Sequence, residues 1–351
     1  MEMLEGDDRN QEEGCEIYEP VYEDTADASD ESDWKTEGSE TLDCNLQDLP
    51  DEIILKVLSY FEPKDLISSC QVSKRLRKIS HDNSLWQKVS LSWKIVNAEF
   101  LELILNKGCK SLSLSHIIIH GSLHLHQRSQ LRILDLTELV ENGEVLKVIL
   151  ASCYSLQVLE MQDSSITRKI ATSICQSGKS LQKLNLEACL IGDEFAVTQI
   201  IKCCQELKEV NLAAIFTDQL EELSYDCLEF LVKNICPSVE ILDISYLEFD
   251  DNHFNILLSR CNKIKELCLQ SVDLTNNSFS IIRENLSLTL EKLTLNYSDE
   301  LRLTGFLELK SMPRLKFLCF GDKEDGENEE AIKNLGKQLP NLMMIINVGF
   351  L

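Results

Sequence analysis

The sequence has few of the residues and motifs that mark catalytic or membrane-spanning structures. It contains 13 glycines and 6 prolines in 351 residues, and aromatic residues make up only 6%. It has no glycine-rich phosphate loop, no His-Glu-x-x-His, no Gly-x-Ser-x-Gly and no Cys-x-x-Cys, so these common catalytic motifs are excluded. A transmembrane helix needs about eighteen consecutive apolar residues, and no apolar run in the sequence is that long.

Positive charge is also scarce, with 34 lysines and arginines against 59 carboxylates and a formal net charge of −25. Nucleic-acid binding requires clustered cations that displace phosphate counterions, and this balance argues against it. The first residues lack the basic, apolar start of a secretion signal, so we expect an intracellular protein. The 14 cysteines are then expected to be free thiols in a reducing compartment.

Residues 1–43 form an acidic tail. The tail holds 17 carboxylates against two cations, Arg9 and Lys35, and few aliphatic residues. Such a segment buries too little apolar surface to offset its ordering entropy, so we predict a disordered, solvated tail. The alternative is a short docking motif built on Tyr18, Tyr22 and Trp34.

Residues 44–91 predict three short helices. Pro50 suits the start of a helix, and Asp51 and Glu52 place negative charge at its positive end. Ile53, Ile54, Val57, Leu58 and Phe61 follow as one wide apolar face. Because so small a segment cannot bury this surface against itself, we expect part of the face to meet a neighbour in this chain or another.

This segment resembles an F-box, the adaptor that docks a cullin–RING ubiquitin ligase through a linker subunit. The family pattern is met at Leu49, Pro50, Glu52, Ile53, Ile54, Val57, Ser59, Tyr60, Pro63, Asp65, Leu66, Val72, Lys74, Asp82, Ser84, Leu85 and Trp86. It departs at Ser73 and Leu76, where the family usually has cysteine and tryptophan. The alternative is a helical cap with no partner.

Residues 92–351 repeat a strand-and-helix unit of about 25 residues. Leu-x-x-Leu-x-Leu-like motifs begin at Leu131, Leu156, Leu181, Leu207, Val239, Ile264, Leu290 and Leu315, with degenerate copies at Trp86, Leu112 and Leu342. Each unit passes from a period-2 stretch to a helical stripe, as at Val145, Leu146, Ile149 and Leu150. The sequence therefore predicts an α/β leucine-rich-repeat horseshoe, with parallel strands on the concave side and helices outside.

Two groups of residues suggest chemistry, and each has a simpler interpretation. Cys153, Cys204, Cys236 and Cys261 each lie three residues before the next strand motif, which favours buried packing over a catalytic thioester. His116, His120, His124 and His126 fall within eleven residues, but no local cysteine or carboxylate completes a metal site. We therefore predict no catalytic residue, no bound metal and no cofactor.

The concave face is predicted to be the working surface of the repeats, because its side chains alternate with the buried aliphatics. Carboxylates outnumber lysines on it by six to two, which favours a basic partner over a phosphorylated peptide lying directly on the face. The alternative is a solvated sheet whose partner binds at a rim. The candidate contacts are Asp135, Glu160, Glu187, Glu209, Asp243, Glu266, Lys292 and Asn296.

The whole sequence resembles the leucine-rich-repeat class of F-box proteins, most closely the cell-cycle type. The resemblance implies a non-catalytic substrate receptor in the nucleus and cytoplasm, which binds the linker subunit and through it the cullin and RING subunits. It also implies a protein substrate and a small cyclin-kinase accessory subunit. The implied linker contacts are Leu49, Pro50, Ile53, Ile54, Val57, Leu58, Leu66, Val72, Lys74, Leu85 and Trp86. The alternative function is a repeat scaffold without ligase association.

Overall fold

The computed structural model describes most of the chain after residue 47. The described residues are 48–125, 127–139, 143–217, 222–270, 272, 275–295, 305, 307–322, 329–339 and 342–348. The predictions of a disordered tail at residues 1–43 and of a contact at Asn296 lie outside them. Within the described residues, none of the helices is both long and apolar enough to span a bilayer.

Three short helices open the described chain: α1 (Asp51–Leu58), α2 (Pro63–Val72) and α3 (Lys74–Ser80). The carbonyl of Pro50 accepts the amide protons of Ile53 and Ile54, so α1 starts directly after the proline. The hydroxyl of Ser73 caps α3 by accepting the amide proton of Leu76 at 3.1 Å. The serine that departs from the family pattern is thus the residue that starts the third helix.

An eleven-stranded, fully parallel sheet follows without a linker. Its strands, in spatial order, are β1 (Lys88–Ser90), β3 (Ser111–Ser113), β5 (Ile133–Asp135), β6 (Val158–Glu160), β8 (Lys183–Asn185), β10 (Glu209–Asn211), β12 (Ile241–Asp243), β13 (Glu266–Leu269), β14 (Lys292–Leu295), β15 (Phe317–Asp322) and β16 (Met343–Val348). The degenerate motifs at Trp86, Leu112 and Leu342 each supply a strand of this sheet. The predicted leucine-rich-repeat-like architecture is confirmed.

One helix follows most strands and completes the repeat. The helices are α4 (Ala98–Asn106), α5 (Gly143–Ser152), α6 (Arg168–Ser177), α7 (Glu194–Cys203), α8 (Tyr225–Asn234), α9 (Asp251–Arg260), α10 (Asn276–Leu286) and α11 (Glu329–Gln338). The stripe of Val145, Leu146, Ile149 and Leu150 is buried, as predicted. The motifs at Leu207 and Val239 start 32 residues apart rather than about 25. Helix α8 between them has ten residues, like α7 and α9, so the extra length does not lie in the helix.

Five shorter strands form two small parallel ladders beyond the carboxyl ends of the main strands. They are β2 (Ile95–Asn97) with β4 (Ile118–His120), and β7 (Ser165–Ile166), β9 (Leu190–Ile191) and β11 (Phe216–Thr217). A turn joins each of five main strands, β1, β3, β6, β8 and β10, to the short strand that follows it. Ser164 lies in one such turn, where its buried hydroxyl donates to the carbonyls of Leu136 at 3.0 Å and Gln162 at 3.1 Å. The bond to Leu136 connects two successive repeats, and the bond to Gln162 lies within the turn.

The three helices share one hydrophobic core with the first repeats. Ile54, Leu58, Leu66 and Trp86 belong to the same buried cluster as the strand leucines. The Trp86 indole N–H donates to the carbonyl of Ser80 at 2.9 Å, where the chain passes from α3 toward β1. The ion pair between Lys94 and Glu62, at 2.7 Å, ties the α1–α2 connection to the first repeat. The helical segment is therefore packed against the end of the sheet.

Candidate docking surfaces

Helix α1 presents apolar side chains on both of its faces. Ile54 and Leu58 are buried against the rest of the chain, whereas Ile53 is 49% exposed and Val57 41% exposed. Tyr60 and Phe61, just beyond the helix, are exposed as well. Ile53 and Val57 are one helical turn apart and lie on the same side of α1. We call Ile53, Val57, Tyr60 and Phe61 the α1 patch; within the described chain it is left uncovered.

The structure divides the eleven predicted linker contacts into three groups. Exposed positions are Pro50, Ile53, Val57, Val72 and Lys74; half-buried positions are Leu49 and Leu85; buried positions are Ile54, Leu58, Leu66 and Trp86. This chain itself covers the side chains of the last four, so they are the members of the motif that pack inside the chain, and their contact with a linker stays a prediction. The sequence placed all eleven in one motif and could not separate them.

The concave face carries the predicted charges, and lysines neutralise several of them. Lys183 lies between two neighbouring strands, with Nζ 3.0 Å from Glu160 and 3.7 Å from Glu209. The hydrogen bond with Glu160 is the main cause that raises the pKa of Lys183 above its ordinary value. Lys292 pairs with Glu266 at 3.3 Å. Half of the six predicted acids therefore have a lysine partner.

The other three predicted acids accept hydrogen bonds from neutral donors. Asp135 accepts from the Ser113 hydroxyl at 2.7 Å, and Asp243 from the Ser245 hydroxyl at 2.6 Å. Glu187 accepts from the side-chain amides of Gln162 and Asn211, at 2.7 and 3.1 Å. Because these partners carry no charge, the net negative charge of Asp135, Glu187 and Asp243 is kept at the sheet surface.

A row of residues with positive φ runs along the rim at the carboxyl ends of the strands, and it was not predicted from the sequence. Its members are Trp93, His116, Glu138, Asp163, Ala188, Ala214 and Tyr246, with φ between 52° and 63°. We call them the rim row. Each lies four residues after the middle of its strand, and each donates its amide proton to the next repeat. These residues share one fixed position in the repeat. Their side chains are so diverse, however, that the sequence does not predict a shared left-handed backbone at that position.

The first three members of the rim row are fixed to one another. The ring of Trp93 stacks on His116, with centroids 3.6 Å apart and planes 17° apart. His116 Nδ1 lies 2.9 Å from a carboxylate oxygen of Glu138. Trp93 nevertheless remains 71% exposed, so one indole face is held by the histidine while much of the ring is open to solvent. A rigid, exposed tryptophan is a typical anchor for a protein partner.

The histidine cluster resolves into separate structural roles. His116 belongs to the rim row, while His120 and His124 are exposed, and His126 lies outside the described residues. Among the residues that the structure describes, no three histidines, cysteines or carboxylates are grouped so that they could hold a metal ion.

Cys153, Cys204, Cys236 and Cys261 occupy the same position in four repeats, and we call them the repeat-slot cysteines. All four are buried, which confirms the packing interpretation. Burial raises the pKa of Cys153 from 9.0 to about 11 and that of Cys204 and Cys261 to about 12. Each unit of increase lowers the reactive thiolate fraction about tenfold at neutral pH. Nucleophilic use of these thiols is therefore disfavoured.

Alkylation by iodoacetamide at neutral pH should distinguish Cys203, the last residue of α7, from Cys204, which follows it. Cys203 is exposed and its neighbour Cys204 is buried. We expect Cys203 to be modified at least about tenfold faster, because Cys204 lacks both access and thiolate. Peptide mass spectrometry over a time course measures both rates. Equal rates under native conditions would contradict the burial, and equal rates in denaturant provide the control.

Comparisons with known proteins agree with the geometry of the helical segment. Residues 46–92 match the F-box-like family model. The chain is 28% identical over 140 residues to F-box protein DAS1 of Saccharomyces cerevisiae, covering 40% of this chain and 20% of that protein. It is 23% identical over 330 residues to putative RNA-binding protein EEED8.10 of Caenorhabditis elegans, covering 87% of this chain and 40% of that protein. The chain thus spans less than half the length of either relative.

Among solved structures, the crystal structure of the Rad7 and Elc1 complex in yeast is similar at 15% sequence identity and a TM-score of 0.40, covering 85% of this chain and 88% of that one. The F-box match coincides with α1 to α3 and the start of the sheet. F-box segments are non-catalytic adaptors. The described chain therefore combines an F-box-like helical segment with a leucine-rich-repeat-like parallel sheet that follows it directly.

Proposed function

We propose that this chain is the substrate-recognition subunit of an SCF-type cullin–RING ubiquitin ligase. The observation that carries the proposal is the α1 patch: an F-box domain whose inner face is anchored on the sheet while Ile53, Val57, Tyr60 and Phe61 stay exposed. Apolar side chains fixed on a short helix suit a protein partner better than water. The partner we assign to this patch is the ligase linker subunit, which connects the chain to the cullin and RING subunits.

The repeats, in this proposal, hold the protein substrate. Asp135, Glu187 and Asp243 give the concave face negative charge, and the rim row adds Glu138, Asp163 and the exposed ring of Trp93. These features favour a basic segment, whose lysines or arginines gain both ion pairing and contact with the indole. The chain would then act without an active site, by holding substrate beside the ubiquitin-loaded enzyme.

The finer part of the proposal concerns the cell cycle. The sequence resembles the S-phase kinase-associated F-box protein, in which a small cyclin-kinase accessory subunit reads a phosphorylated regulator. An acidic concave face supports such an intermediary, because it repels a phosphopeptide lying on it directly. We extend the proposal to a phosphorylated cell-cycle regulator presented in this way for proteasomal degradation, in the nucleus and cytoplasm.

The test is size-exclusion chromatography of the full chain with a purified ligase linker subunit. We expect one peak at the mass of a 1:1 complex, because the α1 patch would be covered on binding. A Trp93→Ala, Glu138→Ala variant should coelute equally well, since these residues lie on the repeats. The same variant should recover fewer proteins from cells in which cullin activation is blocked, as measured by quantitative mass spectrometry.

The outcomes separate the two halves of the proposal. If the wild-type chain and the linker elute as two separate peaks, the chain is a repeat scaffold without ligase association. If the complex forms but the variant recovers the same proteins as the wild type, the substrate does not use the rim row.

A further inference from the structure

A strongly cationic stretch interrupts this acidic chain. Between residues 74 and 110 there are eight lysines and arginines against three carboxylates, in a protein of net charge −25. The cations are Lys74, Arg75, Arg77, Lys78, Lys88, Lys94, Lys107 and Lys110. Helix α3 carries the first four of them within its seven residues.

Four of these cations and a histidine gather on and beside α3. We call Lys74, Arg77, Lys78, His81 and Lys107 the cationic cluster. Lys107 Nζ lies 3.0 Å from His81 Nδ1 and 5.5 Å from the centre of the Trp86 ring. Arg77 donates to the carbonyl of Cys70 at 2.9 Å. In the described part of the chain, the recorded partners of these cations are neutral rather than carboxylates.

The cluster carries a positive field. Burial, then Lys107 and Arg77, lower the pKa of His81 below its ordinary value. Burial also lowers the pKa of Lys107. Both shifts show that an added positive charge is unfavourable at this site. Binding of an anionic group there is therefore favourable.

The start of the described chain lies against the same helix. Arg75 Nη2 donates to the carbonyl of Leu49 at 2.6 Å and pairs with Asp51 at 2.6 Å. The acidic tail, residues 1–43, joins the chain just before this point and carries a net charge of −15. Asp43 is six residues from Leu49, a span of at most about 20 Å, whereas α3 is about 10 Å long.

We infer that the acidic tail, residues 1–43, docks on the cationic cluster of its own chain. Tethering places the tail at an effective concentration on the order of millimolar beside the cluster. Many weak charge contacts then suffice to hold it, and salt screens them. The tail of a second copy has the same charge but lacks this tether.

Docking has a consequence for linker binding, and this consequence alone rests on the proposed function. Lys74 belongs to the cationic cluster and is also an exposed candidate for the linker contact, as is its neighbour Val72. A docked tail would occupy part of that surface. The tail should therefore compete with the linker subunit and weaken its apparent affinity at low ionic strength.

Carbodiimide cross-linking of the full chain tests the docking itself, because it joins carboxylates only to amines in direct contact. An equal mixture of unlabelled and ¹⁵N-labelled chain is cross-linked at low salt and mapped by mass spectrometry. We expect tail carboxylates joined to Lys74, Lys78 and Lys107, in isotopically unmixed pairs, and at least about five-fold fewer links at about 0.5 M salt. Equal linking to the exposed Lys179 and Lys208 would overturn the inference, as would a predominance of mixed pairs.

Charge reversal supplies a matched pair of variants. Arg77→Glu with Lys78→Glu should reduce links to Lys74 and Lys107 at least about five-fold. Lys202→Glu with Lys208→Glu makes the same charge change at two exposed positions of the repeats, one on α7 and one just before β10, and should leave these links unchanged. Circular dichroism checks that both variants fold; unaltered links in a folded Arg77→Glu, Lys78→Glu variant would overturn the docking.

A tail with less negative charge tests the competition. The substitutions Asp30→Asn, Glu31→Gln, Asp33→Asn, Glu37→Gln, Glu40→Gln and Asp43→Asn lower its net charge from −15 to −9. The full chain that carries them should form fewer cross-links to the cationic cluster and bind the linker about three-fold to ten-fold more tightly at low salt. Fewer cross-links with unchanged linker affinity would overturn the competition only. If the chain does not bind the linker under any of these conditions, the proposed function is overturned. The cross-linking results alone then decide whether the tail docks on the cationic cluster.

Discussion

Replacing Ile53 and Val57 by aspartate is expected to weaken binding of the ligase linker subunit at least about 100-fold, or about 2.8 kcal/mol. Both side chains are substantially exposed, so the free chain loses little packing. In the complex, however, each aspartate would have to enter an apolar contact without a partner for its charge. Titration calorimetry of the full-length variant against the linker subunit measures the change.

The control for the α1 patch is Leu288→Asp. Leu288 is 71% exposed and lies on the repeats, after α10, so its substitution adds one negative charge, against two in the double variant, away from the F-box domain. We expect unchanged linker affinity for it. If both variants bind the linker as tightly as the wild type, the α1 patch is not the docking surface. If both lose binding equally, the effect is one of net charge.

Replacing Trp86 by alanine is expected to lower the free energy of unfolding by about 3–5 kcal/mol. The side chain is only 1% exposed, and the truncation leaves a large cavity between the F-box helices and the first strand. It also removes the hydrogen bond to the carbonyl of Ser80. Chemical denaturation of the full chain, followed by circular dichroism, measures the loss.

A second substitution separates volume from hydrogen bonding at this position. Trp86→Phe keeps most of the apolar volume but leaves the Ser80 carbonyl without its donor, so we expect a smaller loss of about 1–3 kcal/mol. The same variants also decide between packing and linker contact for Trp86. A Trp86→Ala protein that unfolds like the wild type but fails to bind the linker would show that Trp86 contacts the partner.

The pattern of residues along the chain was enough to predict the repeats, because each repeat is formed by residues that are close together in the sequence. A strand leucine and the helix that covers it lie within about 25 residues of one another, and the change from period 2 to a helical stripe is visible in any one copy. Leu134 and Leu159, for example, are predicted as inward-facing strand residues and are fully buried. Even the degenerate copies kept enough of the pattern to be recognised as strands.

The docking surfaces were less predictable. Ile53 and Ile54 are adjacent, equally apolar and part of the same motif, yet one is exposed and the other buried. The apolar face of α1 is wider than the surface that contacts the rest of the chain. The sequence pattern therefore does not show which side of the helix is buried. That depends on how α1 packs against α3 and the first repeats.

From the sequence alone came the F-box pattern, the repeat period, the acidic balance of the concave face and the packing role of the repeat-slot cysteines. Each follows from residues that are near in the chain or that recur at a fixed spacing. Only the tertiary structure decided which F-box side chains remain available, how lysines pair with the concave acids, and that Trp93, His116 and Glu138 meet at the rim. These contacts join residues more than twenty positions apart, and the parallel register of neighbouring strands sets them.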